Sequence, residues 1–102
     1  MKINVLRQFS RYPAGRYISD GPFSGEAFRE KFLIPALDSG ESIEIEMDGA
    51  RGYGSSFLEE AFGGLVRRGH SAKEVLKKLK IISADPYLEK EIKEYIRNAQ
   101  SN

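Results

Sequence analysis

The sequence predicts an α/β fold in which a small mixed β-sheet carries helices packed mainly on one face. Apolar and acidic residues alternate strictly along 42–48, as in a strand with one polar face. Longer segments place apolar residues three and four positions apart, as in helices that cover a sheet. Because 102 residues make one ordinary domain, we expect a single domain over 1–102.

The N-terminal residues predict a β-hairpin. Residues 2–9 favour a first strand and 16–19 favour a short second strand. Between them, Pro13 presets φ and Gly15 permits a positive φ, which is the chemistry of a turn. We therefore expect two paired strands before the first helix.

The first helix is expected to begin after the break at 20–22. Ser24 is a preferred N-cap residue, and Glu26 lies in the first turn, where the helix dipole favours a carboxylate. Pro35 removes one backbone hydrogen bond, so we expect a kink or a terminal 3₁₀ turn there. The apolar stripe of this helix consists of Phe28, Phe32, Leu33, Ala36 and Leu37.

The clearest strand covers 42–48. Its apolar residues are Ile43, Ile45 and Met47, and acidic residues stand between them. A parallel strand that is buried on both faces would be apolar throughout. One face of the sheet is therefore expected to contact water or a partner.

Three further helices and one strand are expected in the C-terminal half. A helix over 55–68 is followed by a short helix behind the capping box of Ser71 and Glu74. A strand over 80–83 and a last helix from Asp85 complete the chain. The predicted order is therefore ββαβααβα.

The composition excludes several kinds of site. With no cysteine and one histidine, the chain can form neither a disulfide nor a multi-histidine metal site. A net charge of +1 argues against a dedicated nucleic-acid binder. The longest apolar run, 32–37, is far shorter than the roughly 20 residues of a membrane span. Composition leaves carboxylate-only metal sites open. We expect a cytoplasmic protein that uses no metal or other cofactor and does not contact a membrane.

The glycine-rich loop before the 55–68 helix is the candidate for function. Gly49, Gly52 and Gly54 do not match the dinucleotide fingerprint, and no Walker lysine follows them. Ser55 or Ser56 would cap the helix, whose N-terminus favours anions. From the residues alone, this segment is either a phosphate-related site or a tight connection to a capped helix.

This strand, loop and helix resemble the STAS-like domains of unknown function, which are similar in fold to the anti-sigma-factor antagonists. The most specific part is 54–65, with Ser-Phe-x-x-Glu-x-Phe-Gly at its centre. The resemblance covers most of the chain, from Pro13 through the last helix. It implies a single STAS-like domain, without catalytic residues, in a bacterial or archaeal protein.

The resemblance also implies a site. Antagonists have Asp-Ser-Ser-Gly-Leu at this junction, and a GHKL-type kinase that is also an anti-sigma factor phosphorylates the first serine. Ser55 falls at that serine, while Gly54 and Phe57 replace the aspartate and the glycine. The implied function is a non-enzymatic regulatory module that contacts a partner, such as a GHKL-type ATPase or kinase, through 49–60. The expected contact residues are Arg51, Tyr53, Gly54, Ser55, Ser56, Phe57 and Glu60.

Two other functions remain open at this point. The same loop with Arg51 would suit a small phosphate-binding protein or an enzyme. The basic cluster from Arg67 to Lys80 would suit a nucleic-acid accessory domain. Phe57 is either a core or a contact residue, with the core favoured, and Glu60 is expected to be a surface charge near a helix start.

Overall fold

The structure is a computed structural model that describes residues 1–99, so the last three residues of the predicted domain, 100–102, lie outside it. Three strands and five α-helices, two of them with an internal π segment, make up the fold of these 99 residues. The strands are β1 (Lys2–Asn4), β2 (Ile43–Glu46) and β3 (Leu79–Ile82). The helices are α1 (Val5–Gln8), α2 (Gly25–Phe28, a π segment Arg29–Leu33, then Ile34–Asp38), α3 (Ser55–Leu58, a π segment Glu59–Gly63, then Gly64–Arg67), α4 (Ala72–Lys78) and α5 (Pro86–Asn98).

The sheet has the order β1-β2-β3, and both strand pairs are parallel. The prediction of a mixed sheet is therefore wrong for the described residues. Both crossovers step in the same direction, and right-handed crossovers of that kind place their helices on the same face of a sheet. The burial agrees, since Ile43 and Ile45 are buried while Glu44 and Glu46 on the other face are not.

The predicted N-terminal hairpin is wrong. The strand ends early because the Asn4 side chain accepts a hydrogen bond from the Arg7 amide at 3.0 Å and starts α1. Residues 16–19 form no strand, because the carboxylate of Asp20 accepts hydrogen bonds from the amides of Arg16 and Tyr17. A short 3₁₀ helix, Ile18–Asp20, follows instead. The predicted element order is therefore wrong in this N-terminal part, where α1 takes up most of the predicted first strand and the 3₁₀ helix stands in place of the second.

Local cap signals predict most helix ends correctly. Ser24, Ser71 and Asp85 each accept a hydrogen bond from the backbone at the start of a helix. Gly69 closes α3 with a φ of 104°, and the His70 amide donates to the carbonyl of Leu65.

The end of α2 agrees with the expected terminal 3₁₀ turn, since the Gly40 amide donates to the carbonyl of Leu37, three residues earlier. Helix α2 also widens into a π segment just before Pro35, where the Ile34 amide donates to the carbonyl of Arg29. A π turn is one of the local changes that accompany irregular helix geometry. The helix then continues through the proline to Asp38.

One hydrophobic core lies between the covered face of the sheet and helices α2, α3 and α5. Its largest fully buried side chains are those of Phe28, Phe57 and Phe62. The core also includes Ile92 and Ile96 of α5. Within residues 1–99, every helix is too short or too polar to span a lipid bilayer.

Candidate functional site

The glycine-rich loop, residues 49–54, joins β2 to α3 and is held at two points. The Tyr53 hydroxyl donates to the carbonyl of Met47 at 2.9 Å, and the Arg51 amide donates to the carbonyl of Arg11 at 2.8 Å. Gly49 has a φ of 92°, and Leu6 occupies the space that a Cβ there would need. The loop therefore has a defined shape and packs against the N-terminal segment that contains Leu6 and Arg11.

Helix α3 begins without a side-chain cap. Gly54 occupies the N-cap position, and Ser55 and Ser56 are already the first two helical residues. The prediction that one of these serines caps the helix is wrong, because a capping side chain must precede the helical residues. Both serines are exposed. The start of α3 therefore presents two hydroxyl groups and uncapped backbone amides to solvent.

Phe57 is buried beneath this surface, and Tyr53 is partly buried beside it. Phe57 is only 1% exposed, and its ring packs 5.9 Å from that of Tyr53 and 6.1 Å from that of Phe28. This placement fits the expectation that Phe57 is a core residue, and its side chain offers a partner no surface. Burial, aided by the Asp48 and Glu46 carboxylates, raises the pKa of Tyr53 far above its usual range, so the hydroxyl stays a donor.

Glu60 is buried, so the expectation of a surface charge is wrong. One Glu60 oxygen lies 2.6 Å from Arg29 Nη1, and the other lies 3.2 Å from Arg16 Nη1. The same Arg29 nitrogen also donates to the backbone carbonyl of Glu60 at 2.8 Å. Both side chains of the Arg29–Glu60 pair are less than one-tenth exposed. Glu60 therefore supports the start of α3 from inside.

This buried pair is the centre of a chain of alternating charges, which we call the charge network. Glu59 contacts Arg16 at 2.6 Å and Arg67 at 2.7 Å. The hydrogen bond from Arg67 is the main reason that the pKa of Glu59 lies below its usual value. On the other side, Glu30 joins Arg29 at 2.8 Å to Arg68 at 3.0 Å.

The charge network coincides with both π segments. Arg29 donates to a backbone carbonyl within the α3 π segment, and a side chain that enters the helical hydrogen-bond ladder in this way distorts a helix. Gly64 makes room for it, because a Cβ at that position would overlap the Arg29 guanidinium. Sequence reasoning missed this cluster, although glycines inside a helical pattern are a signal of close packing.

An acidic cleft of about 400 Å³ lies at the carboxyl ends of β2 and β3. Asp48, Asp85 and Glu91 contribute to its lining, and Asp48 accepts hydrogen bonds from the Ser83 hydroxyl and the Ala84 amide. Arg51 is not among the lining residues. The phosphate-binding alternative expects a basic pocket at this loop, and the observed cleft has the opposite charge. Residues 1–99 contain no group of three or more His, Asp or Glu side chains that could hold a metal ion.

The basic cluster from Arg67 to Lys80 is divided by the fold. Arg67 is engaged by Glu59, Arg68 by Glu30, and Lys78 lies 3.8 Å from Glu74. Both arginines of the cluster therefore belong to the charge network. The nucleic-acid alternative keeps only the exposed lysines Lys73, Lys77 and Lys80 as free charges of residues 1–99.

The family model of a STAS-like domain of unknown function (DUF4325) matches residues 24–89. The matched range runs from the N-cap of α2 into α5 and includes the loop and both π segments. The chain belongs to this family of STAS-like domains, which confirms the resemblance seen in the sequence. The description of the family names no enzymatic activity. Neither the curated proteins nor the solved structures gave a match.

Proposed function

We propose that the chain is a non-enzymatic regulatory module that binds a protein partner through residues 49–60. The observation that carries the proposal is the start of α3, where Ser55 and Ser56 are exposed beside a loop of defined shape. Membership of the STAS-like family supports a regulatory module. The single hydrophobic core supports one domain over the chain, and a cytoplasmic location is part of the proposal.

The predicted contact residues divide into two roles. Arg51, Gly54, Ser55 and Ser56 are exposed and would touch the partner directly. Tyr53 is partly buried and ties the loop to Met47, just after β2, while the buried Phe57 and Glu60 hold the first turns of α3 in place. The partner contact would therefore also depend on two side chains, Phe57 and Glu60, that it does not touch.

Ser55 is the proposed phosphorylation site, with a GHKL-type ATPase or kinase as the proposed partner. Its hydroxyl is exposed, and a phosphate in the first turn of a helix is favoured by the dipole. The uncapped amides of this turn are also available as hydrogen-bond donors. Phosphorylation would thus stabilise the helix start and change the charge of the contact surface.

Affinity capture from the native host tests the partner contact. The Gly54→Trp variant would block the surface without disturbing the fold, because a Cβ at Gly54 meets no atom within 4 Å and its φ of −74° suits any residue. Asn98→Trp, at an exposed site on α5, is the control. An ATPase or kinase captured by wild type and control, and lost with Gly54→Trp, would support the proposal. Equal capture by all three proteins would contradict it.

Phosphate transfer is tested with the captured enzyme and labelled ATP. We expect labelling of wild type and of Ser56→Ala but not of Ser55→Ala. The neighbouring serine is a matched control, because both side chains are exposed and neither caps the helix. Labelling that persists in Ser55→Ala would exclude Ser55 as the acceptor.

A further inference from the structure

The eight arginines of the chain fall into two groups. Four of them, at positions 16, 29, 67 and 68, belong to the charge network. Arg7, Arg11, Arg51 and Arg97 form no ion pair with a carboxylate of residues 1–99. Three of these four lie on two segments that pack against each other.

The fold brings those segments together at the glycine-rich loop. Leu6 packs on Gly49, and the Arg51 amide donates to the Arg11 carbonyl at 2.8 Å. Next to Arg11, the side chain of Tyr12 is 63% exposed. We define the basic-aromatic surface as Arg7, Arg11, Tyr12 and Arg51, all of them exposed.

We propose that the basic-aromatic surface binds an acidic segment of a partner protein. The inference rests on the proposed function, since the surface includes Arg51 of the same loop. An arginine guanidinium forms bidentate hydrogen bonds with a carboxylate. Arginine and tyrosine are also enriched among the hot-spot residues of protein interfaces. Three arginines of this surface form no ion pair within residues 1–99. Carboxylates of the bound segment would therefore supply their counter-charges.

The surroundings favour an acidic protein segment over a nucleic acid. A nucleic-acid strand is negatively charged along its whole length and would meet Asp48 and Asp85 if it continued into the acidic cleft, whereas a protein segment can carry its acidic residues only where it contacts the arginines. The net charge of +1 also provides no wider basic stripe. In addition, Phe23 is 43% exposed and its ring packs 5.6 Å from that of Phe9, so an exposed apolar side chain lies near the segment of Arg7 and Arg11.

The test is the binding of a fluorescein-labelled peptide of alternating Glu and Leu, measured by anisotropy. Charge reversal in Arg11→Glu/Arg51→Glu is expected to weaken binding at least about tenfold, and added salt is expected to weaken binding to wild type. The control Lys77→Glu/Lys90→Glu makes the same net change at exposed lysines of α4 and α5. We expect the control to stay within about twofold of wild type.

Three results would overturn the inference. They are equal losses in both charge-reversal variants, no binding of the peptide to wild type, and tighter binding of an oligothymidylate strand than of the peptide. Tyr12→Ala is expected to weaken binding severalfold while leaving its salt dependence unchanged, since it removes packing and not charge.

The inference and the proposed function can fail separately. If Gly54→Trp loses the native partner but Arg11→Glu/Arg51→Glu retains it, the loop contact stands and the acidic chemistry fails. If charge reversal loses the acidic peptide while Gly54→Trp retains the native partner, the acidic chemistry stands and the proposed loop contact fails.

Discussion

The start and the middle of helix α3 are opposite in character. At its start, Ser55 and Ser56 are exposed and no side chain caps the backbone amides. One turn further on, Glu60 is buried and accepts hydrogen bonds from three arginines. A single helix thus has one region whose polar groups are satisfied within the fold and one whose polar groups are left to solvent or a partner.

The difference separates structure from binding. Polar groups that already have hydrogen-bond partners within the fold contribute little to the binding of another molecule. Removal of one member of a buried ion pair, however, leaves the charge of the other without a partner. Exposed groups without internal partners contribute little to stability and remain available for contact. Substitutions in the middle of α3 should therefore change stability, while those at its start should change binding.

The largest effect is expected from Glu60→Ala. The substitution removes the buried carboxylate from Arg29 and leaves the guanidinium with the partly exposed Glu30 alone, so we expect a loss of about 3 kcal/mol of the free energy of unfolding, the lower end for a broken buried pair. Urea denaturation followed by circular dichroism measures the loss. Glu89→Ala, which breaks only the half-exposed pair with Lys93, should cost less than about 0.5 kcal/mol. Similar losses in both variants would mean that burial of the pair has no consequence.

A glycine comparison gives the next largest effect. A Cβ at Gly25 would overlap the backbone carbonyl of Phe57, which cannot move without shifting α3. We expect Gly25→Ala to cost about 1–3 kcal/mol. Gly54→Ala makes the same chemical change in open space and should alter stability by less than about 0.5 kcal/mol, because cap loss and reduced chain entropy offset each other. Thermal unfolding of the two variants side by side is the measurement.

Acidification is expected to weaken the charge network. The folded-state pKa of Glu59 is lowered, so its contribution is present above its unfolded value of about 4.5 and is lost as the pH falls through the folded value. The free energy of unfolding should therefore fall below about pH 4.5 less steeply in Glu59→Gln than in wild type, by less than about 1 kcal/mol in total. The exposed Glu41→Gln should follow the wild-type curve. Coincident curves for all three proteins would contradict the assignment.

The smallest effect is a gain at the start of α3. In Gly54→Ser the hydroxyl can accept a hydrogen bond from an amide of the first turn, and the unfolded chain loses freedom. We expect stabilisation of about 0.5–1 kcal/mol, seen as a higher melting temperature. A lower melting temperature would show that this turn is not free to accept a cap.

Local signals in the sequence predict much of this architecture. The alternation around Ile43 and Ile45 correctly indicates β2 and its polar face, and Ser24 correctly marks the start of α2. The predicted strand at 16–19 does not form, because the side chain of Asp20 accepts hydrogen bonds from backbone amides that a strand would use to pair with its neighbour. Such competition depends on how the chain turns, which hydrophobic periodicity does not record.

At the site, the exposure of Ser55 was predictable and the burial of Glu60 was not. The amide-rich start of a helix is readable from Gly54, Ser55 and Ser56 themselves, although the capping residue was misassigned. The partner of Glu60 is Arg29, which lies 31 positions earlier in the chain. A contact between residues so far apart in the sequence is set by how α2 and α3 pack. It has no signature in the hydrophobic pattern of either helix.

The parallel order of the sheet also has a consequence for the timing of folding. Lys2 of β1 pairs with Glu44 of β2, and Ile43 of β2 pairs with Leu79 of β3, so neither pairing is local. Such contacts must overcome the entropy of closing a long loop before they stabilise anything, which slows folding. During synthesis, β1 can pair only after the first crossover and β2 have been made, and β2 can pair with β3 only after the second crossover has been made. The segments around Arg11 and Arg51 can therefore come into contact before β3 and α5 have been synthesised.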